Sequence, residues 1–269
     1  QQQEMMRAAD QALFLAKGQR DASFVVFHPD MALQRLGLQD KEDLDKAMAG
    51  DAFRILYTPV IDMRSRAPAG LSAHAVWMRA DGTVLEPAAY MPRIAHFGLR
   101  RSFALHIARK TLQDLHELLA SGRDPGRLSI NVDAAMLATR SSFEELSDLL
   151  ALYPEVCRHL TLELTDDAVS GRASSIIREH VRTLDRSGVH LSMEGFGSGN
   201  ASFQHLQDFE VDEIKIVPAF LIGLGSKRAA AVVIEGFLSI AAGLGARVVA
   251  AGVENQAQII QTGDLNQTS

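Results

Sequence analysis

An α/β fold of repeated strand–helix units is what this sequence predicts, on three observations. From residue 53 onward, short runs rich in β-branched and aliphatic residues alternate with longer runs of helical period. Several of the short runs, such as LTLEL and ARVVAA, are nearly continuous in apolar residues, as in parallel strands buried on both faces. The chain has 269 residues, 47% apolar and 22% charged, enough for one large α/β domain or two smaller ones. At this level a (β/α)8 barrel and an open doubly wound sheet both remain open.

The elements follow in order. EMMRAADQALFLAK, residues 4 to 17, has a helical apolar period and good helix formers. SFVVF, 23 to 27, is β-rich, and HPDM turns the chain. Residues 31 to 49 space apolar positions among charges, which suits an exposed connecting helix. Strands are then predicted over 53–62, 69–77, 127–132, 159–165, 189–194, 211–216 and 246–250. Helices are predicted over 87–97, 101–121, 141–151, 172–187, 201–207 and 226–244. The tail TGDLNQTS carries no strand-like run, so a last barrel strand is not recognisable.

Composition narrows the function. A net charge of −6 argues against a nucleic-acid polymer as partner. The single Cys157 rules out an intramolecular disulfide and a cysteine-rich zinc site, and fits a reducing, cytoplasmic compartment as a small buried filler. No apolar run is long enough to span a membrane. The opening QQQEMMRAAD reads as the continuation of something longer, so an upstream membrane or sensory segment stays open.

Polar residues fall at the C-terminal ends of four successive predicted strands: Asn131, Glu163 with Thr165, Glu194, and Lys215. In a barrel that end is where function sits. Any one of them is ordinarily a satisfied cap or turn residue. Together, an amide, two carboxylates and an ammonium on one rim are the donor set for a hard cation with a lysine beside it.

At these residues the chain resembles the EAL-domain family of cyclic di-GMP phosphodiesterases, from about residue 53 to 260. YTPVID is similar to the family's YQPIVD, SINVDAAML to its VNLS segment, and LELTDDAV to ELTE. LSMEGFGSGNAS resembles LDDFGTGYSS, VDEIKIVPAF resembles VDxLKIDxSF, and AAGVENQAQ resembles AEGVETxxQ. Residues 1–30 resemble the tail of a GGDEF (diguanylate cyclase) domain, which leaves 31–50 as a connecting helix and 51–269 as the EAL-like domain. The resemblance implies a (β/α)8 barrel with an irregular first strand. It also implies two Mg²⁺ or Mn²⁺ ions that activate a water to open one phosphodiester of cyclic di-GMP.

The same alignment shows which groups this chain has lost. Against the naming motif stands LSAHAVW, so its Glu is Ser72, its Leu is His74, and an arginine that holds phosphate is Val76, ahead of a retained Trp77. The Gln of YQP is Thr58. Asn131 and Glu163 match metal ligands, and Asp166 replaces the second Glu of ELTE. The paired aspartates of DDFG become Glu194 and Gly195; the Asp after Lys215 becomes Val217; Ala251 replaces one Glu of AEGVE and Glu254 keeps the other. Lys215 matches the lysine that orients the attacking water. His74 can bind Mn²⁺ or Zn²⁺ chemically, but it stands at a leucine position, which favours a structural or interaction role. His28, His96, His106, His159, His180, His190 and His205 show no ligand spacing.

Asn131, Glu163 and Glu194 are then vestigial metal ligands, and Lys215 and Glu194 vestigial catalytic groups. No cofactor is expected beyond weak Mg²⁺ or Mn²⁺ at those three residues. Thr58, Ser72, His74, Asn131 and Glu254 remain as ligand-contact positions. The expectation is an inactive EAL-like domain, a regulatory or protein-interaction module in cyclic di-GMP signalling. The alternatives are a non-hydrolysing cyclic di-GMP receptor and a weak one-metal phosphodiesterase. Expected partners are a protein or a neighbouring domain, with cyclic di-GMP and a homodimer left open.

Overall fold

The computed structural model describes residues 38–165, 173–195, 209–216 and 228–253. These form two compact units: 38–54 with 76–99, and 55–75 with the described residues from Arg100 on. The expected helix over 4–17, the strand over 23–27 and the helix over 201–207 lie outside the described residues, as do Asp166, Val217, Glu254 and the tail.

The first unit holds helix α1 (Leu38–Ala49), the start of strand β1 (Phe53–Ile61), the end of strand β2 (Pro68–Met78), the short strand β3 (Val84–Leu85) and helix α2 (Pro87–His96). Leu44 and Ala47, three residues apart on α1, are buried, as one face of a helix requires. An aromatic cluster closes this unit. The Phe53 ring lies 5.3 Å edge-on to Tyr90 and 5.6 Å from Trp77. β3, which the sequence does not announce, pairs antiparallel with Trp77 and Met78.

The second unit is built on a largely parallel sheet. Its further strands are β4 (Arg127–Asn131), β5 (Leu160–Thr165), β6 (His190–Glu194), β7 (Glu213–Ile216) and β8 (Arg247–Ala250). The strand order is β1-β2-β4-β5-β6-β7-β8, and every pairing from β2–β4 to β7–β8 is parallel. Helices α3 (Arg100–Ala120), α4 (Ala134–Leu137), α5 (Arg140–Ala151), α6 (Ser174–Arg186) and α7 (Arg228–Leu244) supply the crossovers. The predicted strand and helix spans within the described residues agree with these bounds to within two residues.

The two faces of this sheet differ. Leu128, Ile130, Leu160, Leu162, Leu164, Leu191, Met193, Ile214 and Ile216 share a core with the helix residues Leu112, Leu115, Phe143, Leu146, Ile177 and Leu184. Each such side chain contributes about 1.5–3 kcal/mol by leaving water. The alternate positions face the other way, because side chains in a strand alternate. There stand Ser129, Thr161, Glu163, Ser192, Glu213 and Lys215, all buried. The strands are thus buried on both faces, as expected, but apolar only toward the helices and polar within the curl of the sheet. Layers of branched apolar side chains usually fill such an interior; here hydroxyls and ion pairs do.

Helix ends fix the strand starts. α3 closes with Gly122 N donating to Leu119 O and Arg123 N to Leu118 O, with Gly122 at φ +78°. This double closure satisfies the last carbonyls and needs a left-handed residue, which only glycine adopts without cost. α6 and α7 end in the same pattern at Gly188 and Gly245.

Candidate functional site

Parallel pairing brings the predicted rim residues together. Asn131 stands opposite Glu163, Thr165 opposite Glu194, and Glu194 opposite Lys215. Because the strands run the same way, all four carry their last residues to one end of the sheet.

At the centre is an ion pair. Lys215 Nζ donates to both carboxylate oxygens of Glu163, each at 2.8 Å. Glu194 Oε1 lies 3.6 Å from the same ammonium. Exposure rises outward: the Glu163 side chain is 2% exposed, Lys215 11% and Glu194 28%. Burial raises the Glu163 carboxyl above its ordinary value, against the pull of Lys215. Burial acts on Lys215 in the opposite sense, yet Glu163, Glu194 and Glu213 outweigh it and hold the amine's pKa above the usual lysine value. The charge that faces Glu163 is therefore a resident ammonium.

The other predicted positions surround this pair less closely. Asn131 is exposed at the end of β4, and Val132 N donates to Glu163 O at 3.0 Å. Ser72 and His74 are half-buried on β2, with Ser72 opposite Ser129. Thr58 is exposed on β1. Gly195 follows Glu194 directly at φ +79°. Ala251 is half-buried, with its N–H on Ile216 O at 3.0 Å. Among the described residues, no group of three or more His, Cys, Asp or Glu side chains is placed to hold a metal ion.

A second polar set lies deeper on the same face and was not singled out in the sequence. Glu213, 1% exposed, accepts from Ser192 Oγ at 2.8 Å and from Arg247 Nε at 2.6 Å. Asp212 accepts from the Leu191 backbone N–H at 2.9 Å and lies 2.9 Å from His190 Nδ1. The signal was present in the strands themselves: LTLELT, HLSME and EIKI each place a polar residue at every second position. Cys157 is buried, as expected of a small filler, and burial raises its thiol.

Comparison with known proteins agrees with this architecture. The EAL domain model matches residues 41–262. An uncharacterised protein of Mycobacterium tuberculosis is 27% identical over 256 residues, covering 94% of this chain and 41% of its own length. The probable cyclic di-GMP phosphodiesterase PdeB of Escherichia coli is 28% identical over 203 residues, covering 75% of this chain and 38% of its own. The chain thus spans about two fifths of the length of these curated relatives. Among solved structures, the PaMucR phosphodiesterase in its c-di-GMP complex superposes with a TM-score of 0.77 at 22% identity, over 85% of this chain and 92% of that one. The FimX EAL domain of Pseudomonas aeruginosa, bound to c-di-GMP, gives 0.74 at 16% identity, over 84% and 90%. Among the described residues, no helix is long and apolar enough to cross a membrane. With its α/β fold and a family match over most of its length, this chain belongs to the EAL-domain family.

Proposed function

We propose that this EAL domain does not hydrolyse cyclic di-GMP and serves as a regulatory or protein-interaction module in cyclic di-GMP signalling. The observation that carries this is that, among the described rim positions where the family resemblance has acids, only Glu163 and Glu194 keep a carboxylate, and Lys215 bonds both oxygens of Glu163. A two-cation hydrolytic site needs several carboxylates converging on ions about 4 Å apart. Ser72, Gly195, Val217 and Ala251 carry no charge where the family resemblance has acids. Asn131, Glu163 and Glu194 are left, and Lys215 already engages both oxygens of Glu163. These donors do not fit a pair of divalent cations. The resemblance of residues 1–30 to a GGDEF tail makes a neighbouring domain the first partner to consider.

A non-hydrolysing receptor is the second reading, favoured by the superposition on the FimX EAL domain, itself bound to c-di-GMP. Against it stands Val76 in place of a phosphate-holding arginine, since a charge-assisted fork to phosphate has no apolar substitute. The test is incubation with cyclic di-GMP and Mg²⁺ or Mn²⁺, followed by chromatography. Only intact cyclic dinucleotide is expected; accumulation of the linear dinucleotide overturns the proposal. A calorimetric titration with cyclic di-GMP in Ca²⁺ then separates the two readings. Saturable heat selects the receptor, and its absence selects the interaction module.

A further inference from the structure

We propose that the curl of the sheet holds an internal water site, shared by Ser129 and Thr161 on the N-terminal side of the Glu163–Lys215 pair. Two buried hydroxyls lead to it. Thr161 on β5 is 0% exposed and Ser129 on β4 is 4% exposed. They are register partners in adjacent parallel strands, and Ser129 in turn stands opposite Ser72 on β2. Neighbouring strands lie about 4.7–4.9 Å apart, so partners on one face carry their side chains side by side. Thr161 precedes Glu163 by two residues on the same face, about 7 Å along the strand.

The protein does not complete the bonding of these hydroxyls. Thr161 Oγ1 is buried and has no hydrogen-bond partner among the described residues, Ser129 included. The polar groups around it are turned elsewhere. Both Glu163 oxygens accept from Lys215, and Ser192 Oγ donates to Glu213. His190, the register partner of Thr161 on the other side, directs its Nδ1 to Asp212 at 2.9 Å. A buried hydroxyl without a partner is costly, and each hydroxyl is both donor and acceptor.

The spacing and the charges select the ligand. Two O–H···O bonds of about 2.7–2.8 Å end to end span about 5 Å, the separation that adjacent strands impose on Ser129 and Thr161. The nearby carboxylates are already engaged by Lys215, Arg247 and His190, so none is free to hold a cation. Two hydroxyls carry no charge for an anion. A neutral molecule of one oxygen fits, and Ser72, half-buried beside Ser129, offers the third partner that internal waters commonly have.

The test is ¹⁷O magnetic relaxation dispersion on the full chain, which reads water oxygens and is blind to exchanging hydroxyl protons. Thr161→Val keeps the shape of the side chain and removes its hydroxyl. It should lose about one long-lived water per chain, while Thr161→Ser keeps it. Ser129→Ala removes the second hydroxyl, should lose the same water, and serves independently of whether Thr161→Val folds. By denaturant titration, Thr161→Val should lower the folding constant roughly tenfold, because the bridge is lost. A dry hydroxyl predicts the reverse, since valine would relieve an unpaired group. A wild-type chain with no long-lived water, an unchanged dispersion in either folded variant, or a Thr161→Val chain more stable than wild type overturns the proposal.

Discussion

Replacing Lys215 with methionine tests whether the ion pair at the rim is structural. The substitution keeps the length of the side chain and removes its charge. It leaves Glu163, 2% exposed, without the ammonium that bonds both its oxygens at 2.8 Å. Breaking a buried pair by removing one partner costs about 3–5 kcal/mol, because the remaining charge is uncompensated. For a domain of this size each kcal/mol moves the midpoint by about 2–4 °C, so Lys215→Met should lower Tm by roughly 6–20 °C. Removing both charges in Lys215→Met/Glu163→Leu should recover most of that loss, since a pair replaced by apolar groups of similar volume is often near neutral. Glu194 does not forbid the recovery, because at 28% exposure it keeps contact with water. The assay is thermal unfolding by circular dichroism on wild type, both single variants and the double. An unchanged midpoint in Lys215→Met refutes the reasoning, and so does a double variant no more stable than Lys215→Met.

Three further outcomes follow from the same structure. The Lys215 amine has its pKa raised in the folded state, so its contribution is fully present below the ordinary value of 10.5 and is lost as pH rises through the folded value. Denaturant midpoints should fall more steeply in that alkaline window for wild type than for Lys215→Met. Gly195→Asp, which restores an acid the family resemblance expects, puts a side chain at φ +79° and should cost about 1–2 kcal/mol by chemical denaturation. Gly126→Ala combines positive φ with a backbone oxygen 2.4 Å from the new Cβ and should cost more than 2 kcal/mol, of the order expected for a strained, overpacked site.

Much of the fold was legible because its pattern is local. The strand ends at Asn131, Glu163, Glu194 and Lys215 could be read from apolar runs that stop at a polar residue, and parallel pairing did place them on one rim. β3 was not legible, since a two-residue strand has no period and exists through its pairing with Trp77 and Met78. α4, of four residues, was missed for the same reason, although Asp133 caps it by accepting from Ala135 N. The polar interior was present in the alternation of LTLELT and EIKI but was masked there by their high apolar content. What single residues could not disclose was pairing. Nothing in the sequence says that Glu213 takes Arg247 and Ser192, that Lys215 takes Glu163, or that His116 takes Glu155. These depend on register and on loop closure, which bring together residues far apart in the chain.

The most direct measurement is a Mn²⁺ titration of the purified chain followed by electron paramagnetic resonance of the free ion. If the Lys215 ammonium occupies the carboxylate oxygens a cation would need, free Mn²⁺ should rise in proportion to the amount added, with no saturating site, and Lys215→Met should bind more than wild type. Two Mn²⁺ retained per wild-type chain would contradict it, and would restore the rim as a hydrolytic two-cation site.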